Sequence, residues 1–218
     1  MSQDKFLSRK MLSLLKQKIK HMKYIGNLIL VLLVLSMVSC DMTKKKEKIA
    51  EKEKAELEAA LQKGNQLVKM TFENMSGKLK STIQENGAIE AIQYCRVEAV
   101  PLTTALEEEG IKISRTSSRY RSPYNAPSEE AKKILSKFEN EKANGQKSET
   151  VVHRSADGTI HYYKPIYMQA LCLNCHGDPG INVSDEVVTQ LKELYPEDKA
   201  LGYKMNDMRG AWHVEFSK

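Results

Sequence analysis

Apolar residues are unevenly spaced along this chain, and each change of spacing predicts a different kind of element. From Leu28 to Val38 they form an almost unbroken run, with Lys20 and Lys23 before it and Cys40 just after it. The run is too short to span a bilayer, which takes about 20 apolar residues in a helix. In "DMTKKKEKIAEKEKAELEAALQKG" only Ile49, Leu57 and Leu61 break a polar surface of Lys, Glu and Ala. That pattern predicts a solvated, partly helical stalk and does not sustain the heptads of a coiled coil.

From Asn65 the pattern tightens. Leu67, Met70, Phe72, Met75 and Leu79 recur at spacings compatible with a helix, and Asn86-Gly87 breaks it. Ile89, Ile92, Cys95 and Val100 then fall near one helical face, closed by Gly110. "IKIS" alternates like the start of a strand, and "RTSSRYRSPYNAPSEE" reads as a loop. Ser128 is placed to cap the next helix, "EEAKKILSKFENEK". "ETVVHRSADGTIHYYKPIYM" has two runs rich in β-branched and aromatic residues around Asp157-Gly158, the signature of a hairpin. "VSDEVVTQLKELYP" predicts a short amphipathic helix, and "GAWHVEF" a final strand. The expected class is α+β, an antiparallel sheet with helices around it.

The formal net charge of +6 invites a nucleic-acid reading, and its placement removes it. Residues 1–39 hold seven of the 34 Lys and Arg and one of the 28 acids, so the rest of the chain is balanced. Positive charge ahead of a short apolar core belongs to an export leader. The leader ends in "LSMVSC", which resembles the lipobox of bacterial lipoproteins. That resemblance implies cleavage before Cys40 and acylation of its thiol. Acyl chains would then tether the protein to a membrane lipid surface on the periplasmic or cell-surface side, without spanning it. An ordinary cleaved signal or a membrane anchor with an incidental Cys is the alternative, and the start codon is either Met1 or Met22. The expected organisation is a signal peptide over 1–39, a lipid-anchored charged stalk over 40–64, and one domain over 65–218.

The remaining chemistry centres on "CLNCH", with Cys172, Cys175 and His176. A structural zinc site needs four ligands, usually as two spaced pairs, and there is one pair here. A thioredoxin-like motif wants a βαβ setting, which the pattern does not provide. Covalent haem fits: two thiols separated by two residues can each add to a haem vinyl group, and the next residue offers its imidazole to the iron. His176 would be one axial ligand. For the other, the chain offers Cys95, His153, His161, His213 and several Met. Local sequence marks none of these, and reads Cys95 as a small buried residue on a helix face.

Four motifs bear on that choice. "YCRVEAVPL", "ISRTSSRYRSPYNAP", "YYKPIYMQALCLNCHGDP" and "YPEDKALGYKMNDMRGAWHVEF" together resemble a bacterial single-haem c-type family. Its PAS-like domain, long labelled as of unknown function, also serves as the extracytoplasmic sensor part of histidine kinases and chemoreceptors. The resemblance covers about Asn65 to the C-terminus. It implies a PAS-like sheet cradling one covalently bound haem c, with His176 and Cys95 as axial ligands. It also makes the Arg-rich segment a source of partners for the haem propionates, with Arg119 and Arg121 as candidates. Ser122 stands where the family often has Asn. The implied function is redox or small-ligand sensing with a separate redox or signalling partner. A periplasmic electron carrier is the alternative. A peroxidase-type enzyme is the third reading, and no acid–base constellation around "CLNCHG" argues for it.

Overall fold

The computed structural model describes the backbone of residues 3–217 and the side chains of Met22 and residues 44–217. The expected lipidation site, Cys40, and the other side chains of the expected leader lie outside that description. The chain divides into two units, Met1–Ala55 and Glu56–Lys218. Among the described residues, no helix is long and apolar enough to cross a membrane.

Helix α1 spans Gln3–Thr104 and is interrupted at Gly87, which has φ 82° and ψ 176°. Glycine tolerates this left-handed φ because it carries no Cβ. The Asn86-Gly87 break expected from the sequence is therefore present. Before it, the buried stripe is Ala60, Leu67, Val68 and Thr71, with Met75 packed beside it. Met70 and Phe72, expected on the packed face, are exposed. A helix packed on one side buries only a stripe, and these two residues fall outside it. After the break, Ala91 and Ile92 are buried while Val100 is exposed, so the apolar face ends sooner than the spacing suggested.

The other elements are β1 (Ile111–Thr116), α2 (Glu129–Ala143), β2 (Val151–Arg154), β3 (Ile160–Tyr167), α3 (Ala170–His176), α4 (Asp185–Leu194) and β4 (Met208–Phe216). The four strands make one sheet in the order β1-β4-β3-β2, with every neighbouring pair antiparallel. The α+β class is as expected. The β2–β3 hairpin turns through Asp157-Gly158, where Asp157 accepts from the Thr159 amide at 2.9 Å. Ser128 caps α2 by accepting from Ala131 N, and Ser184 caps α4 by accepting from Val187 N.

Side-chain alternation divides the sheet into two faces. On one, Ile113, Tyr162, Trp212 and Val214 pack against Leu67 and Val68 of α1. On the other, Tyr163 and Ala211 pack against Ala131, Leu135 and Phe138 of α2. Gly64 of α1 makes the first contact possible. A Cβ there would stand 2.5 Å from the Tyr162 ring. A separate cluster joins Ile92 of α1 to Val183, Val187 and Leu191, with Cys175 of α3 packed against it.

Candidate functional site

Helix α3 is seven residues of "ALCLNCH" and ends in His176. On a helix, positions i and i+3 share a face, so Cys172 and Cys175 lie together. Both are free thiols, as is Cys95. Cys172 packs beside Met168, Ala200 and Tyr203, whereas Cys175 packs in the cluster of Ile92. Ile92 and Cys95 are neighbours along one helical face, which brings Cys95 to the Cys175 side of α3.

The electrostatics agree with that placement. Burial raises the Cys95 thiol above its ordinary range, and so does the nearby Cys175, against Arg115 and Arg121, which pull it down. Burial also raises Cys175, opposed by Arg121. Cys95 and the "CLNCH" helix, 77 positions apart at their nearest cysteines, thus share one electrostatic environment.

His176 is held in one tautomer. Its Nδ1 lies 2.8 Å from the carbonyl oxygen of Ala200. A carbonyl only accepts, so Nδ1 carries the proton and Nε2 is the basic nitrogen. Burial, then Arg121 and Arg209, hold the imidazolium well below its usual range, leaving the ring neutral. This is the form that ligates a metal, with its second nitrogen fixed by an outer hydrogen bond.

The segment from Asp198 to Tyr203 closes over the end of α3. Tyr203 N donates to His176 O, and Gly202 N to Gly177 O, both at 2.9 Å. These bonds satisfy carbonyls that the helix end leaves open. Arg121 locks the same region: its Nε pairs with Asp198 Oδ2 at 3.0 Å, and its Nη2 donates to Cys175 O at 2.6 Å. Arg119 donates from Nε to Lys199 O and from Nη2 to Leu201 O, with its guanidinium 4.1 Å from the Tyr203 ring centre. The two arginines proposed from the sequence are thus fasteners of the loop that orients His176.

Two further arginines were not singled out by sequence reasoning. Arg115 on β1 is half-buried, and its Nε is shielded from solvent without a hydrogen-bond partner. Burial, then Arg209, lowers its pKa to about 10. Arg209 precedes the core of β4 and donates to Ser117 Oγ at 2.8 Å and to Arg119 O at 3.0 Å. A guanidinium with an enclosed, open donor is a seat for an anionic group. The one available signal was position: Arg115 falls among alternating strand residues, where a charge is out of place.

The other axial candidates are engaged elsewhere. His153, His161 and His213 stack with one another and with Tyr163, on the sheet face under α2. Met168 is buried beside Cys172, Met208 packs with the α2 cluster, and Met205 is exposed.

The fold and site define a protein with an antiparallel sheet, a helix bearing two free thiols and a neutral imidazole, and a loop tied down by arginines. The chain belongs to the Tll0287-like family, which matches residues 41–217. It is similar to the crystal structure of the cyanobacterial heme-protein Tll0287. The two are 25% identical, the match covers 73% of this chain and 96% of that chain, and the TM-score is 0.53. No curated protein matches this chain.

Proposed function

We propose that this chain is an extracytoplasmic mono-haem c-type protein of PAS-like fold that senses redox state or a small ligand. One haem is attached through Cys172 and Cys175, with His176 and Cys95 as axial ligands. Cys40 is acylated and tethers the protein to a membrane lipid surface. The observation that carries this reading is the pairing of a fixed, neutral His176 with two free thiols on α3 and a third, Cys95, on the same side. The heme-protein Tll0287 is a relative of matching fold. The family match begins at residue 41, directly after Cys40.

A bound haem supplies an iron centre that changes oxidation state and takes small ligands. The residues of this chain set how it does so. His176 presents Nε2 because Ala200 holds Nδ1. Arg115 offers its open Nε to a propionate carboxylate. Arg119 and Arg121 hold the loop behind His176. Burial favours the neutral, protonated thiol of Cys95 whenever a metal does not hold it. With haem bound, Cys95 would be the ligand that this chain's own burial least supports as a thiolate. Cys95 lies beyond the Gly87 interruption, on a segment separated from the rest of α1. A change of ligand there gives a separate partner a signal to read.

The test is expression with c-type haem maturation, wild type beside Cys95→Ser. The expected result is pigment that stays on the denatured chain and a thiolate-type ferric spectrum that the substitution abolishes. Pigment extracted by acidified solvent would sink covalent attachment, and an unchanged spectrum would sink the Cys95 assignment.

A further inference from the structure

The sheet face under α2 carries a second collection of ligand-type side chains. Strand register assembles it. His153 pairs with His161 across β2 and β3, and His161 pairs with Glu215 across β3 and β4. His213 stands two residues before Glu215, on the same face. Helix α2 adds Glu130, whose Oε1 lies 2.5 Å from His153 Nε2 and whose Oε2 lies 3.7 Å from His161 Nε2.

At the centre, His161 Nδ1 and His213 Nε2 are 3.0 Å apart, and His213 Nδ1 is 3.7 Å from Glu215 Oε1. One donor atom from each of His161, His213 and Glu215 lies within 4.8 Å of the other two. We propose that His161, His213 and Glu215 form a binding site for a divalent transition-metal ion of the zinc class, with water in the fourth position.

The donor set suits that ion. Zinc takes imidazole nitrogen and carboxylate oxygen at about 2.0–2.2 Å, so tetrahedral donors stand about 3.3–3.6 Å apart. The two imidazole nitrogens are already near that spacing, and a side-chain rotation of Glu215 from within 4.8 Å brings the carboxylate to join them. Both rings rise from the two central strands, where backbone pairing on either side keeps them in place. His161 Nε2 also reaches Ser155 Oγ at 3.2 Å, an outer partner of the kind that orients a metal-bound imidazole. Burial, with His161 beside it, lowers the His213 pKa to about 4, so its ring is neutral at ordinary pH. The imidazoles are largely enclosed, while the Glu215 and Glu130 side chains are 39% and 40% exposed and leave an approach from solvent.

A different role for the same residues is a hydrogen-bonded stack that ties α2 to the sheet. The site shares no residue with α3 or Cys95, so its fate is independent of the haem reading.

The test uses the full chain, stripped with chelator and titrated with zinc chloride by calorimetry, together with zinc X-ray absorption. The expected result is one zinc per chain in a nitrogen and oxygen shell without sulfur. His213→Gln should weaken binding at least about tenfold, since even outer-shell changes cost that much. Zinc should raise the melting temperature of wild type and not of His213→Gln. Glu215→Gln, at a half-exposed position, should weaken binding in the same direction and serves if His213→Gln does not fold. Absence of uptake, a sulfur shell, or undiminished binding in the variants would overturn the proposal and leave the stack as the role of these residues.

Discussion

Ala200 accepts the Nδ1 proton of His176 across 2.8 Å, and its own amide donates to Asp198 Oδ1 at the same distance. Asp198 therefore holds the residue that holds the histidine. Through its other oxygen it neutralises Arg121, whose side chain is 12% exposed against 6% for the carboxylate.

Asp198→Ala should destabilise the chain by about 3 kcal/mol, because it leaves the Arg121 guanidinium buried without its counter-charge. Urea unfolding measures the loss. Adding Arg121→Met should recover part of it by removing the stranded charge. A double variant as unstable as the sum of two single losses would show that the pair does not act as a unit.

Arg115 provides a contrast between two states of the same protein. Its Nε is buried without a partner, so Arg115→Met should leave the haem-free chain as stable as wild type or more so. If the guanidinium faces a propionate, the same substitution should lower the melting temperature of the haem-loaded protein. Thermal unfolding of both forms decides: equal shifts in the two would remove Arg115 from the site.

Two glycines of α1 should respond oppositely to alanine. Gly64→Ala places a methyl group 2.5 Å from the enclosed Tyr162 ring and should cost about 1–3 kcal/mol. Gly77 has nothing within 4 Å of a Cβ, so Gly77→Ala should stabilise by up to about 1 kcal/mol through helix propensity. Denaturant midpoints of the two variants give the comparison.

Stability should fall in alkali through Tyr162. Burial raises its pKa to about 12, and its hydroxyl donates to Asn65 Oδ1 at 3.0 Å. The folded chain keeps this proton while the unfolded chain releases it near the ordinary value of about 10. The contribution is whole below about pH 10 and declines as pH rises toward 12. Unfolding free energies from pH 9 to 11 should therefore slope downward, and less steeply in Tyr162→Phe. Identical slopes would assign the alkaline loss to other groups.

Much of the fold was legible because its signals are short. The Ser128 cap acts within one turn, and the hairpin turn lies between two β-rich runs. Helix faces were read less well. Met70, Phe72 and Val100 fit a 3.6-residue period, yet they are exposed. Periodicity tells which residues share a face, but the width of the buried stripe depends on what packs against it. Gly64 shows the same limit: it reads as the end of a stalk, and a Cβ there would run into the Tyr162 ring.

The sequence by itself determined the "CLNCH" cluster, the order of elements and the location of excess charge in residues 1–39, because each depends on neighbours along the chain. Tertiary structure decided the roles of residues far apart. It made Arg119 and Arg121 fasteners of the Asp198–Tyr203 loop, and it enclosed the Nε of Arg115 without a partner. It also brought Cys95 to the side of Cys175 and gathered His161, His213 and Glu215 through strand register. The physical reason is common to all of these. A residue's rotamer, protonation and partners follow from the dielectric and the groups around it, and here those groups arrive from distant strands and helices.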